Sequence, residues 1–588
     1  MLSWNIGTKP ALDLFIAAIT LTLTLVGCGG GGGGAPTTAV TSVPSKPGSL
    51  TITPVSAQLA ISWSTVSTAT SYNLYWSTTP GVSKANGTKI TSVASPYVQS
   101  ALVNGTPYYY VLTAVNSIGE SVESAQATGT PTPPPPGWSS ANEVSTATSF
   151  LNTTIYPGAA NVNNNGAAAA SWSEEGNTSG VSWLYANIYQ GGVWRTPTQI
   201  GAKGSSHPSV SVTASGDVIA VYEQRIADSL GNFVSTAIYS RRYNHLTSTW
   251  STAEQISVNT LPNKYALQPY VVADSNGNAM AVWSEEQTQV FARRFDATLG
   301  AWESTATLLS NSPRLVYNPK VVVDGNNIYT AVWIQDTAAY NGSLPGGGAN
   351  KPTPTARRYV SGSWGTGNQR IGWSTTDLPY GDFDSASRCW VEVNAAGNVF
   401  VVWEQRRTLA DLSLQLSVDN ARFDPVAGTW SAPSSIATHT AYLSWPQVAV
   451  DSTGNALVVW TKSDTLSSSI INIQSSRFSK TANTWSTPLL IDQTGTSAVS
   501  DVVMAMDSSG NAEVVWWEPG SLFPKMVERR YDATGGTGWG AYNSQPTPVS
   551  RGLLFDMSDA GYGILLGQSM DISASPFTVG AWSWILTP

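Results

Sequence analysis

Two sets of polar side chains recur at fixed places in a 588-residue chain that is otherwise poor in charge, with only 11% Asp, Glu, Lys and Arg. The first set follows a strand-ending aromatic: Glu174, Glu223, Glu285, Asp336, Glu404 and Glu518, with Lys462 breaking the series. Carboxylates gathered at a rim could act as the acid and base pair that glycoside cleavage uses. The second set is His207, Gln268, Asn318, Arg388, Trp445 and Asp501, all at one repeat position and most of them directly before Pro. Here the copies differ most fully. They offer hydrogen-bonding and stacking groups, the chemistry of a pocket for a polar ligand such as a sugar. Architecture is the competing explanation of both sets. Each Glu can pair with a repeat Arg on the adjacent strand and hold the structure together, and the second set can be ordinary loop residues.

Other chemistry is thin. Three histidines, His207, His245 and His439, are scattered without metal-ligand spacing. Asp274, Asn276 and Asn278 with Glu285 imitate a calcium loop, but Ala279 stands where that loop needs Gly, and AMAVW before Glu285 reads as a strand. No metal or cofactor is expected. Cys389 falls where four other copies have Pro, and reads as a buried structural thiol rather than a nucleophile. A net charge of -8 without any basic run makes nucleic acid an unexpected partner.

The elements that must position these residues repeat along the chain. From Trp138 onward, Trp-headed elements, W-S-x-A in their clearest copies, begin at Trp138, Trp194, Trp250, Trp302, Trp364, Trp430, Trp485 and Trp539, giving eight units of 52 to 66 residues, the last degenerate. The units are built on variants of P-x-V-x-V-D on a period of two, a D-x-x-G-N hairpin as at Asp274 to Asn278 or Asp451 to Asn455, and then A-x-V-V-W. A strand with Arg and an aromatic follows, such as Arg294-Phe295, and a short turn leads to the W strand. Asp or Asn opens a tight turn and Gly supplies its left-handed residue. Four short strands per unit at this period predict a β-propeller of eight, alternatively seven, blades. Short links make the four strands neighbours, with P-x-V-x-V-D innermost and the W strand outermost. The segment at Trp138 can then complete the last blade and close the ring, a place for which WSWIL at Trp582 competes. The crossing loops and the loops after A-V-V-W share one variable rim. Insertions concentrate there, at 336–353, 372–386 and 406–419, so function is expected there.

Two resemblances complete the chain. Lys9, the apolar run from Leu14 to Val26, and Leu25-Val26-Gly27-Cys28 resemble a bacterial lipoprotein signal, which implies acylation of Cys28. Gly29 after the cysteine implies an outer-membrane or surface location. Residues 29–46, rich in Gly, Pro, Ser and Thr, read as a tether. Residues 47–131 resemble a fibronectin type III domain. Trp63 stands at the core Trp position, Ala69 to Tyr72 lead into the next strand, and Leu102 with Tyr108 sits as in that family's tyrosine corner. Residues 132–137 are a Pro-rich linker and 138–588 the propeller, so the expected fold class is all-β throughout.

The expected function is a lipid-anchored envelope protein whose propeller rim binds a glycan or a protein without catalysis. The recurring Trp residues read as blade packing rather than lectin stacking. The alternatives are a glycoside hydrolase or sialidase-like enzyme using rim carboxylates, and a structural scaffold. A sialidase-like site is disfavoured because the arginines recur at a structural position and the Asp turns lack that family's S-x-D-x-G-x-T-W box.

Overall fold

The computed structural model describes residues 42–131 and 142–586, outside several short segments and the longer ones at 146–153, 337–351 and 374–384. Cys28, the tether's start, Trp138 and most of the insertions at 336–353 and 372–386 lie outside the described residues. The fold class is all-β, and no helix occurs among the described residues.

The N-terminal region is a β-sandwich. Thr51–Val55, Gln58–Ser62 and Tyr97–Gln99 make one sheet, and Ser71–Ser77, Thr88–Val93, Tyr108–Asn116, Gly119–Glu120 and Ala127–Gly129 make the other. Leu59, Ile61, Leu74, Tyr110 and Leu112 are fully buried, and Trp63 packs edge-on against Tyr72 with centroids 5.5 Å apart. One carboxylate ties the second sheet together. Glu120 accepts bonds from Asn73 Nδ2 at 2.8 Å, Tyr75 Oη at 2.7 Å and Thr113 Oγ1 at 2.5 Å.

The rest folds as eight antiparallel sheets, blades I to VIII, whose inner strands are Thr154–Val162, Ser205–Val212, Ala266–Ala273, Val316–Val323, Ser385–Val393, Tyr442–Val450, Ser500–Met506 and Ser550–Met557. Each inner strand touches the next, and the first touches the last, so the ring is closed with eight blades rather than seven. Within a blade the order is inner strand, A-V-V-W strand, Arg-aromatic strand and W strand, as the loop lengths predict. Both candidates for the closing position find a place. Thr578–Leu586, containing Trp582, is the third strand of blade VIII, and Asn142–Glu143 pairs with it as the outer strand.

The repeating residues account for this packing. Trp172, Trp283, Trp333, Trp403, Trp460 and Trp516 are fully buried between blades. Four repeat Arg stack on the aromatic of the following blade: Arg242 on Phe295 at 4.7 Å, Arg358 on Phe423 at 3.9 Å, Arg422 on Phe478 at 4.0 Å and Arg477 on Tyr531 at 5.2 Å, while Arg294 pairs with Asp296 at 3.1 Å. Cys389 is buried in the core shared by blades IV and V, where burial pushes its thiol up to about 12. Each turn Asp or Asn accepts backbone N–H bonds, as Asp274 does from Asn276 and Asn278 at 2.9 Å.

Candidate functional site

Every inner strand contains a β-bulge where its pairing slips: between Ser206 and Ser209 in blade II, Leu267 and Tyr270 in III, Tyr317 and Lys320 in IV, and at the matching places elsewhere. A bulge turns one residue out of the ladder and re-aims its side chain. The turned-out residues are the second predicted set. His207, Gln268, Asn318, Arg388, Trp445 and Asp501 all have left-handed backbone, with φ of 46°, 56°, 52°, 47°, 57° and 49°. In blade VIII the same place is held by Gly552, with φ of 68°. An L-residue in this region carries a steric cost that glycine does not. Six blades bear it.

Because each inner strand touches the next, these six side chains form an arc around one mouth of the central channel. Their bonds run from blade to blade. Gln268 Oε1 accepts the N–H of Asn318 at 2.9 Å, and Asp501 Oδ2 accepts that of Gly552 at 3.0 Å. In blade II this task falls to Glu223, which accepts the N–H of Gln268 at 2.7 Å and lies 3.0 Å from His207 Nδ1. That hydrogen bond holds the His207 pKa above its ordinary value. Between blades V and VI, Arg388 lies 4.0 Å over the Trp445 ring and donates to Ser444 Oγ, which donates in turn to Glu404 at 3.0 Å. Trp445 remains 57% exposed, a large indole presented to solvent beside a fixed guanidinium.

The acidic series divides, and its expected pairing with the repeat Arg is corrected. Strand pleating puts residues one and two places after the aromatic on opposite faces. Glu174, Glu285 and Glu518, two places after, accept the indole N–H of their own strand's Trp at 2.9, 2.9 and 3.0 Å, as Gln335 and Gln405 do at 2.9 and 3.1 Å. Burial raises the pKa of Glu174 and Glu285. Lys462 occupies this place in blade VI and cannot accept, and Trp460 Nε1 there has no partner. Glu518 also meets Lys525 at 3.1 Å, but among the described residues no ion pair joins a repeat Arg to Glu174, Glu223, Glu285, Glu404 or Glu518. Glu223 and Glu404, one place after the aromatic, face the mouth instead. Asp336, three places after, is buried.

Two groupings escaped the sequence reading. The x positions of P-x-V-x-V-D place Tyr270, Lys320, Trp390, Glu392 and Asp556 around the channel below the mouth, each half-buried. Part of their signal was available, since Lys320, Glu392 and Asp556 put charge where other copies carry apolar or neutral polar residues such as Val272, Val322, Ser209 and Gln447. The second is Asp419 in blade V, fully buried, whose Oδ2 receives Trp373 Nε1 and Arg407 Nη2 at 2.5 Å each. Other blades carry Tyr185, Tyr239 or Phe291 at that place, stacked beside the buried aromatic. Asp419 therefore ties the long crossing loop to the blade. Sequence spacing gave no sign that Trp373 would reach it.

The fold and mouth thus define a sandwich and an eight-bladed propeller with a polar, symmetry-broken channel entrance. No protein-family model and no curated protein matches the chain. Among solved structures, an Fn3-like protein from Clostridium thermocellum is 33% identical over 15% of this chain and 92% of its own, with a TM-score of 0.14. An ulvan lyase from a polysaccharide lyase family is 11% identical over 61% of this chain and 89% of its own, with a TM-score of 0.38. The intramolecular trans-sialidase from Ruminococcus gnavus is 11% identical over 64% of this chain and 93% of its own, with a TM-score of 0.31. At these identities and TM-scores the last two likenesses do not reach the chemistry of the site.

Proposed function

We propose that the protein is a lipid-anchored cell-envelope receptor that binds a glycan, without cleaving it, at the channel mouth. The observation that carries this reading is the arc of six non-glycine residues in left-handed backbone, centred on the exposed Trp445 indole and the guanidinium of Arg388. Strained backbone kept by a bulky or polar side chain points to a use for that side chain. An exposed indole beside polar donors and acceptors matches the apolar face and hydroxyl edge of a sugar ring. The acidic groups support binding over turnover, because Glu174, Glu285 and Glu518 are held by indole N–H groups, and Glu404 and Asp501 are hydrogen-bonded across blades. Acylation of Cys28 at an outer membrane, with residues 29–46 as tether and the fibronectin type III domain as spacer, would hold the propeller away from the bilayer.

A glycan array tests the reading. The full chain binds a defined set of sugars and releases no shortened product, and Trp445→Ala or Arg388→Ala removes binding while melting is unchanged. Product release abolished by Glu404→Gln or Asp501→Asn would replace it with the enzyme reading. Unchanged binding after His207→Ala, Arg388→Ala and Trp445→Ala together would remove the mouth as the site.

A further inference from the structure

Below the mouth, the x positions of the inner strands serve two different purposes. An innermost strand is a sheet edge, and its free backbone groups need partners. In blade II, Ser209 Oγ and Ser211 Oγ accept the N–H groups of Val271 and Ala273 at 3.1 and 2.9 Å. In blade VI, Gln447 accepts from Met504 N at 3.0 Å, and in blade VIII Asp556 accepts from Val162 N and Asn161 Nδ2 at 2.9 Å each. Those side chains are occupied in closing the ring.

Blades III, IV and V depart from this. Tyr270, Lys320 and Trp390 hold the same position on three consecutive inner strands, and the ammonium of Lys320 stands between the two rings, 4.6 Å from the Tyr270 centroid and 4.4 Å from that of Trp390. Such flanking favours a positive charge and fixes its place. It leaves the donors open. Among the described residues no carboxylate lies within ion-pair distance of Lys320 Nζ, although an ammonium has three donors to place. Glu392, two residues beyond Trp390, accepts the Trp390 indole N–H at 3.1 Å. Burial, aided by the charge of Asp556, raises the pKa of Glu392 to about 8, so at neutral pH its carboxyl is largely uncharged and can donate. Asp556, at an x position of the inner strand of blade VIII, raises Glu392 in blade V and Tyr270 in blade III through its charge, as expected for x positions of inner strands set around one channel.

We infer that the channel below the mouth is an oxyanion site, in which Lys320, set between Tyr270 and Trp390, receives a carboxylate or sulfate group carried by the ligand. The site deepens the proposed function and rests on it only for the carrier, which becomes an acidic sugar whose ring lies at Trp445 and whose anion reaches down to Lys320. The association is reversible and forms no covalent bond. Ligand binding weakens as pH rises through about 8, because Glu392 then ionises and competes for Lys320, whose own pKa burial already lowers. The other groups facing Lys320 are Asp556, raised to about 6 by burial, the Tyr270 hydroxyl, raised by burial, and the Cys389 thiol, held neutral.

Titration calorimetry on the full chain with galacturonic acid, galactose and inorganic sulfate tests this, using wild type and Lys320→Met, which keeps the stem between the rings. Galacturonic acid and sulfate are expected to bind wild type at about pH 6, and about tenfold or more weakly at about pH 9 and in Lys320→Met. Galactose binding is expected to be the same in both proteins and to depend on Trp445. Lys320→Met that melts as wild type does and still binds both anions equally well would overturn the oxyanion site, as would no anion binding to wild type. If neither sugar binds but sulfate still depends on Lys320, the oxyanion site stands and the glycan reading falls. If both sugars bind, and equally in both proteins, the reverse holds.

Discussion

The two ends of most inner strands use the same backbone conformation with opposite residue choices. At the D-x-x-G-N end the left-handed residue is glycine in blades III, V, VI and VII, where Gly277, Gly397, Gly454 and Gly510 have φ of 80°, 86°, 89° and 88°. At the bulge end, a similar twist is borne by His, Gln, Asn, Arg, Trp and Asp. Glycine is compatible with the bulge, as Gly552 shows. The turn end therefore keeps a conformation, while the bulge end keeps side chains in spite of their conformation. Uniformity marks architecture in this propeller, and strain with variety marks the candidate site.

The largest expected effect tests that division on two tryptophans. Trp283 is fully buried, stacked with Phe291 at a centroid distance of 6.1 Å, and donates to Glu285 at 2.9 Å. Trp283→Ala should lower stability by about 3–5 kcal/mol, since it leaves both a cavity and an unpaired buried carboxyl. Trp445→Ala should cost no more than about 1 kcal/mol, the worth of its stacking with Arg388 at an exposed site. Denaturant melts of the two variants check this. Equal losses would end the distinction between the two kinds of Trp.

Next in size is a pH effect to which the channel carboxyls contribute. Glu392 and Asp556 have folded-state values raised to about 8 and about 6, in both cases first by burial. A carboxyl with a raised pKa stabilises the fold fully below its ordinary value, and that contribution is lost as pH rises through the folded value. Stability should therefore fall by a few kcal/mol, on the order of 2–4, as pH rises through roughly 4 to 8. Glu392→Gln should remove the Glu392 share of the upper part of this slope in melts followed against pH, leaving the share of Glu513 and Glu528 in blade VII, which burial raises to about 8 and about 7. The sandwich should respond with the opposite sign. Burial alone would raise Glu120, but the bonds from Asn73, Thr113 and Tyr75 outweigh it and hold the carboxyl at about 2. Its contribution is present above about 4.5 and is lost only as pH falls through about 2.

The same contrast explains what could be read from the sequence. Repetition made the fold legible: eight Trp-headed elements, one turn motif and a period of two pointed to strand order, to the burial of the recurring Trp and to eight or seven blades, a choice that the closed ring then settled. The position of the mouth was legible too, because His207 and its counterparts differ at a place where everything around them agrees. What the side chains meet was not. The Glu series was aligned by distance from an aromatic without regard to pleat, so residues on opposite faces were grouped together and assigned to Arg rather than to indole N–H. The Lys320 cluster lay at positions marked only as x, and its meaning depends on three strands converging on one axis. Asp419 and Trp373 meet only through a crossing loop whose path no spacing records.

A smaller effect is expected at the turn. Asp451 accepts from Thr453 N and Asn455 N at 2.9 Å each, and Asp451→Ala should cost about 1–2 kcal/mol. Gly454→Ala should cost about 1 kcal/mol or more, because a Cβ there would meet Lys480 Cδ at 2.8 Å in addition to the left-handed penalty. Both losses should appear in melts with ligand binding at the mouth unchanged, since these residues lie at the opposite end of the strand.

The smallest stability change belongs to the reciprocal substitution, Trp445→Gly. Relief of the left-handed penalty contributes about 1–2 kcal/mol. Against it stand the added freedom of the unfolded chain, about 0.4–1 kcal/mol, and the lost stacking with Arg388, about 0.5–1 kcal/mol at an exposed site. The terms nearly cancel, leaving a net change within about 0.5 kcal/mol, while the proposed sugar platform disappears entirely. A melt unchanged from wild type together with lost glycan binding would separate the two strand ends most sharply, one protected by selection for folding and the other for recognition. A large loss of stability would instead place Trp445 among the residues that hold blades V and VI together, and the strain at the mouth would then belong to architecture as well.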